Sequence, residues 1–263
     1  DPVTAKTRPP IHETLPPPLE AGLPKKPNSG KRGYEPALRL PKQTVPNPKQ
    51  ETRVISHHLG ANITAELKAA IKANRTTLHG AVTAAFLLAM RERYGVTAMT
   101  CLTTIDLRRL MKPALPHDTY GCYIDILRTR HDIAEDFWVT ARDASFRLIT
   151  TLAKDQESAS IMKLPEWEVY NKEAGPTIAN HRRIDGLAVT TAGESALKRD
   201  YGAYTLDDVT MAVSLDMFGP SIFVIASERL GGIDLSVGYT AYAMSETEVQ
   251  WLTDRSIALL SSV

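Results

Sequence analysis

The residues able to do acid–base chemistry are few and scattered: His12, His57, His58, His79, His117, His131 and His181. Only His57 and His58 adjoin. An imidazole can take a proton from a hydroxyl or amine as it attacks a carbonyl, so this pair is the first candidate for a general base. Its setting argues the other way. Thr52 to Leu59 reads as a strand leading into a helix, which makes both histidines ordinary strand residues. Asp106-Leu107-Arg108-Arg109 forms a second constellation, at the end of an expected strand. Residues two apart on a strand share a face, so Asp106 and Arg108 can join one ion-pair network. A solvated charge pair is the ordinary outcome of that spacing. Cys101 and Cys122 fall in apolar strands and read as packed residues. Trp138, Trp167 and Trp251 do not cluster as an aromatic cage would. The sequence has no phosphate-cradling G-x-x-x-x-G-K, no G-x-G-x-x-G, no G-x-S-x-G elbow and no H-E-x-x-H.

The elements that must position these residues follow from periodicity. A strand is predicted over Thr52–Leu59, then an amphipathic helix over about Ala65–Asn74. Thr77 can cap a helix from Leu78 to Arg93 that is apolar on almost every side, hence buried, and Gly95 ends it. Strands follow over Thr97–Asp106 and Tyr120–Arg130, separated by a loop with Pro113 and Pro116. Ile133 to Ala153 carries Phe137, Ala141, Ala144, Leu148 and Leu152 on one helical face. Leu187–Thr191 is a short strand ending at Gly193. Three runs that look antiparallel come next: Val209–Leu215, Ile222–Glu228 and Ile233–Thr240, with turns at Phe218-Gly219-Pro220 and Gly231-Gly232. Ser245-Glu246-Thr247-Glu248 has the form of a capping box and opens the last helix. The expected class is α/β or α+β, a mixed β-sheet layer with packed helices.

Composition narrows the function classes. The chain of 263 residues has a formal net charge of +1, which gives no whole-protein field for nucleic acid or an anionic membrane. Two cysteines are too few for a disulfide framework and fit a reducing cytoplasm. The longest apolar run, Ala81 to Met90, is too short to span a bilayer. Residues 1–50 stand apart: they hold twelve of the seventeen prolines, with nine Lys/Arg against four Asp/Glu. Proline fixes φ and removes a donor, so this stretch reads as a linker or strap, and residues 51–263 as the folded domain. The opening at Asp1-Pro2 without methionine suggests processing, cleavage or a designed half.

Taken in order, these segments resemble the C-terminal half of the chloramphenicol-acetyltransferase and condensation-domain superfamily, which includes polyketide-associated and fungal alcohol or trichothecene acetyltransferases. Thr77-Leu-His-Gly-Ala-Val-Thr-Ala-Ala-Phe-Leu-Leu-Ala-Met-Arg91 resembles its buried helix. Thr103-Thr-Ile-Asp106-Leu-Arg108 resembles its strand ending in Asp-x-Arg, and Tyr120-Gly121-Cys-Tyr-Ile-Asp-Ile-Leu127 the strand after it. Leu187-Ala-Val-Thr190-Thr191-Ala-Gly193 resembles the strand that usually reads Val-Ser-Asn-x-Gly, with Thr191 in place of Asn. Ile233-Asp-Leu-Ser-Val-Gly-Tyr239 and the capped helix resemble the closing elements. The superfamily's base motif, His-His-x-x-x-Asp-Gly, is not matched by His57-His58, because Asn62 and Ile63 replace its Asp and Gly.

The resemblance implies one half of a two-lobed, CoA-dependent acyltransferase fold. It implies transfer of an acyl group from acyl-CoA or an acyl carrier protein to an alcohol or amine in secondary metabolism. The co-substrate is acyl-CoA or carrier-bound phosphopantetheine, with no covalently bound cofactor and no metal. The histidine base belongs to the N-terminal half of the same enzyme, joined covalently or as a cleaved chain, so this chain supplies no catalytic histidine and is expected to be inactive alone. Asp106 and Arg108 would support the catalytic loop from across the interface. Thr190, Thr191 and Gly193 would line the substrate channel. The expected partners are that half and a small-molecule acceptor. The rival readings are a non-catalytic condensation-like binding or scaffold module, and an unrelated α/β ligand-binding domain. A missing half would leave an exposed apolar patch.

Overall fold

The computed structural model describes residues 51–108, 114–116, 119, 121, 123–157, 186–194, 197–207, 209–215, 220–241 and 243–263. The proline-rich stretch 1–50 and Arg109, Pro113, Tyr120, Cys122, Trp167, Phe218 and Gly219 lie outside the described residues, as do His117 and His181. In chain order the elements are β1 (Thr52–Leu59), α1 (Ala61–Ala73), α2 (Leu78–Tyr94), β2 (Ala98–Asp106), β3 (Ile124–Asp132), α3 (Phe137–Glu157), β4 (Leu187–Glu194), β5 (Ile222–Arg229), β6 (Gly232–Thr240) and α4 (Glu246–Ser261).

Local chemistry sets the helix ends. Thr77 accepts from the Gly80 amide to open α2, and Gly95 closes it at φ 68°, a left-handed position that glycine takes without cost. The capping box of α4 is present: Ser245 accepts from Glu248 N–H, and the Glu248 side chain accepts from Ser245 N–H. The helix expected from Ile133 begins at Phe137, because the Asp136 carboxylate accepts from Val139 N–H at 2.7 Å and caps it there. α1 begins at Ala61, one turn earlier than its apolar pattern predicts, with Thr64 N–H bonded to Gly60 C=O at 3.0 Å.

The strands form one mixed sheet in the order β1-β6-β5-β4-β2-β3. β1 pairs antiparallel with β6, β6 antiparallel with β5, β5 parallel with β4, β4 parallel with β2, and β2 antiparallel with β3. Thus β1, β5, β4 and β2 all run the same way, and their C-terminal ends open at one end of the sheet.

One face of the sheet carries the core. Leu59, Cys101, Leu187, Val189, Ile222, Val224, Leu235 and Val237 pack beneath the helices with Phe86, Leu87, Met90 and Leu252. Eleven of the seventeen residues of α2 are buried, so it is the central helix, packed on α3, α4 and β4. Burying a Phe86- or Leu87-sized side chain contributes about 1.5–3 kcal/mol each. α2 and α3 approach closely at Gly80, where an added Cβ would lie 2.4 Å from Ala141 O and 2.2 Å from Ser145 Oγ. Hydroxyls of Thr76 and Thr77 bridge to Ser145 at the same place, at 2.9 and 2.8 Å.

The opposite face corrects one expectation. Val209–Leu215 alternates as a strand would but forms no ladder. It crosses the far face of β1 and β6, held by hydroxyls: Ser56 to Thr210, Met211 N–H to Ser236, Leu215 N–H to Thr52, and Thr240 to Leu215 C=O. Its alternation reports a half-buried surface, with Leu215 buried over Gly238, and hydroxyl side chains facing it take the place of strand partners. This cover explains why every residue of β6 is buried.

Candidate functional site

β2 runs out at Asp106, and Arg108 turns back onto it. Arg108 Nη1 donates to Asp106 Oδ1 at 3.0 Å, and the Arg108 backbone N–H donates to the same oxygen at 3.0 Å. Nη2 donates to the carbonyls of Thr119 and Gly121, each at 3.2 Å. The guanidinium carbon lies 5.0 Å from the centre of the Tyr123 ring, within cation–π range. Gly121 has φ 147°, and a Cβ there would meet the Tyr123 ring at 2.6 Å, so glycine permits this packing. Arg108 Nε is buried and has no hydrogen-bond partner among the described residues. The guanidinium is thus a clamp joining a strand end to the loop that leads into the next strand, with one donor left over.

β4 ends beside it. The parallel pairing of Cys101 with Leu187 and Leu102 with Ala188 brings the last residues of β4 level with Asp106 and Arg108. Thr190 is half-buried on the face away from the helices, and its hydroxyl reaches Thr104 O at 3.5 Å. Thr191 pairs with Ala226, a core residue, and so belongs to the helix face. The register then shifts between Thr191 and Gly193, and Gly193 takes φ 69°. Thr190 and Thr191 therefore occupy opposite faces of one strand.

The same end of the sheet holds a third group. His58 stands directly opposite Asp234 across β1 and β6. Its Nδ1 lies 2.6 Å from Asp234 Oδ1. Arg229 Nε donates to Asp234 Oδ2 at 2.8 Å, and Arg229 Nη1 donates to Asp207 C=O at 3.2 Å. Asp234 and Arg229 are buried, whereas the His58 side chain is about half exposed. Four strand spacings separate β1 from β2, about 19 Å in all, so this group is distinct from the Arg108 clamp.

Two further histidines are internal. His79 Nε2 faces the hydroxyls of Thr83 and Thr103 at 3.4 and 3.3 Å, and its Nδ1 has no partner among the described residues. Burial, reinforced by the neighbouring His131, pushes its pKa down to about 4. His131 is also held below the usual value by burial, against the opposing pull of Asp143. Both are neutral interior groups between α2, α3 and the sheet. Among the described residues no set of three or more His, Cys, Asp or Glu side chains could hold a metal.

With that geometry in place, comparison with known proteins is decisive at one point. Residues 48–191, more than half the chain, match the family described as phthiocerol/phthiodiolone dimycocerosyl transferase C-terminus. The chain belongs to this family. No curated protein sequence matches it significantly. Among solved structures, the polyketide synthase associated protein 5 from Mycobacterium tuberculosis is similar over 81% of this chain and 53% of its own, with TM-score 0.55 and 16% identity. The trichothecene 15-O-acetyltransferase from Fusarium sporotrichioides gives TM-score 0.61 and 14% identity over 82% of this chain and 47% of its own. The EpoB cyclization-docking bidomain from Sorangium cellulosum gives TM-score 0.63 and 15% identity over 95% and 45%. The chain therefore spans about half the length of the structures it matches. Its sheet and helices share the fold of these structures over that part of their length.

In this member of the family, the residues singled out from sequence are partly gathered. Asp106, Arg108, Thr190, Thr191 and Gly193 all lie at the C-terminal ends of adjacent parallel strands. His58 is the strand residue its setting predicts, but its pairing with Asp234 leaves no signal in the local sequence. The partners are 176 residues apart in sequence, and only the β1–β6 register brings them together. Among the described residues no helix is long and apolar enough to cross a membrane.

Proposed function

We propose that this chain is the C-terminal half of an acyltransferase that moves an acyl group from a thioester to an alcohol or amine. The thioester is acyl-CoA or a carrier-bound phosphopantetheine. The general base is a histidine of an N-terminal half, which takes the acceptor's proton as the acceptor attacks the carbonyl. Asp106 and Arg108 support the loop bearing that histidine, and Thr190 and Gly193 line the channel, while Thr191 faces the helices. The observation that carries the reading is Arg108, a partly buried clamp just past a strand end within a family of transferase C-termini, joining Asp106 to the carbonyls of Thr119 and Gly121.

Exposed apolar side chains support a partner half. Leu197, Tyr201, Tyr204 and Val213 are all exposed, Tyr204 at 78%, and all belong to the excursion between β4 and β5. A docked half would cover them. The test is Arg108→Ala in the complete two-half protein. Turnover should fall by about 10²-fold, the cost of misplacing a catalytic group by about 1 Å, while substrate affinity stays near wild type. Wild-type turnover in that variant would remove Arg108 from the mechanism.

A second reading, a binding module without chemistry, draws support from one fold neighbour. This is an X-domain from teicoplanin biosynthesis solved in complex with OxyB, similar over 88% of this chain with TM-score 0.56 and 17% identity. An upstream His-His-x-x-x-Asp-Gly in the same gene separates the two: its presence supports the transferase, its absence the module.

A further inference from the structure

His58, Asp234 and Arg229 form a buried-to-exposed series that the acyl-transfer reading does not use. An ionised carboxylate bonded to a guanidinium only accepts hydrogen bonds, so the contact at 2.6 Å requires a proton on His58 Nδ1. In the neutral ring this leaves the Nε2 lone pair available as a base. The arrangement has the elements of an oriented base: a carboxylate fixes the tautomer and the ring angle, and a second group fixes the carboxylate. Arg229 is fixed in turn by Asp207 C=O. The ring also has a seat. It lies against the backbone of Gly232, where a Cβ would come within 2.4 Å of His58 Cε1 and 2.8 Å of Nε2. Only glycine allows that approach, so the position beneath the ring belongs to the arrangement as much as its partners do.

Energetics favour a held ring. Arg229 and Asp234 are each about nine-tenths buried, and removing either partner of such a pair strands a charge in the interior. The carboxylate is thus locked by a strong local constraint and cannot follow the imidazole as it moves. An exposed histidine pair without this backing would sample many rotamers. Here the one flexible member is pinned at Nδ1, and its ring is about half exposed at the carboxyl end of β1.

We propose that His58 is a general base for hydrolysis of activated acyl esters, with Asp234 and Arg229 as positioning residues, and that this activity resides in the chain itself. It does not rest on the proposed acyl transfer or on any second half. Water attacks the acyl carbon while His58 Nε2 takes one of its protons. The bond from that carbon to the leaving oxygen or sulfur then breaks. The proton passes from His58 to the departing thiolate or, for a phenolate, to solvent. Ester and water give acid and alcohol or thiol, with no other reactant.

The experiment uses the purified full chain and p-nitrophenyl acetate as the probe, followed by release of p-nitrophenolate. Wild type should exceed an equal concentration of free imidazole. His58→Gln should lower the second-order rate by about 10²-fold, the lower range for a positioned base. His57→Gln, whose ring has no part in the site, should leave it unchanged. Nitrogen NMR of the wild-type ring should show Nδ1 protonated and Nε2 free, and Asp234→Asn should mix the two tautomers while lowering the rate. Because Asp234→Asn leaves Arg229 without its carboxylate, that variant is read only where thermal unfolding shows it folded; the wild-type NMR result stands without it. Four results overturn the proposal: a wild-type rate no higher than imidazole, a His58→Gln rate equal to wild type, an equal fall in His57→Gln, or a proton resident on Nε2.

Discussion

The buried histidine His79 makes stability depend on acid in a way that can be worked through. In the folded chain its pKa is lowered from 6.5 to about 4, first by burial and then by the charge of His131. A base with a depressed folded pKa contributes stability that is whole above its unfolded value and is lost as pH falls through the folded one. Between pH 6.5 and 4 the unfolded chain binds a proton that the folded chain refuses, so stability rises with pH across that window. At 1.36 kcal/mol per pH unit, the interval amounts to about 3 kcal/mol, a large part of the 5–15 kcal/mol typical of a domain. His79 is 7% exposed, so solvent screening does little to reduce this. The perturbation is His79→Gln, which keeps a polar group near Thr83 and Thr103 but cannot titrate. Urea unfolding followed by circular dichroism at half-unit steps from pH 7.5 to 4 gives both stability curves. Asp143, Asp132, Arg147 and the surface carboxylates affect both proteins, so the difference between the curves isolates His79 and its coupling to His131. Wild type should lose about 3 kcal/mol more than the variant over the window. Parallel curves would refute the reasoning and mean that His79 takes its proton in the folded state as easily as in the unfolded one.

Two other substitutions probe the packing that carries the site. Gly80→Ala would place a methyl group 2.4 Å from Ala141 O, a backbone atom that cannot move aside, and α2 would have to part from α3. The expected loss is about 3 kcal/mol, read as a fall of roughly 6–12 °C in Tm. An unchanged Tm would mean that the two helices are not held at this distance. Ser245→Ala removes the capping box of α4 and should cost about 1 kcal/mol, or roughly 2–4 °C, with the far-ultraviolet spectrum unchanged at 20 °C.

The parts of the fold legible in the sequence were those set by local periodicity and caps. α2 declared itself by apolar residues on every side between Thr77 and Gly95, and α4 by its capping box, because both signals are contained within a few turns of chain. Strand β1 was legible to the residue. Val209–Leu215 misled, since alternation reports one buried face and does not distinguish a paired strand from a stretch laid over a sheet. The Asp106–Arg108 pairing was readable from the two charges, but strand alternation is not its cause: β2 ends at Asp106, and Arg108 folds back from the turn after it, its backbone N–H and Nη1 both donating to Asp106. The pairing of His58 with Asp234 depends on register between strands far apart in sequence, and the buried partners of His79 come from a helix and a strand meeting, so neither leaves a local trace. The faces of Thr190 and Thr191 were implicit in strand alternation, but which one meets the helices follows only from the sheet order.

The cover over β1 and β6 has a dynamic consequence. A true strand would be tied by a cooperative ladder and would open only with the whole sheet. Among the described residues the stretch 209–215 forms no ladder: hydroxyl-mediated bonds to β1 and β6, each contributing about 1 kcal/mol, tie it to the sheet, and Leu215 is its one buried side chain. Such a segment opens locally, at a free energy well short of global unfolding. Its amides should exchange with solvent long before those of β6 beneath it. The molecule thus has one face that can be uncovered and re-covered while its core stays closed, on a timescale independent of folding itself.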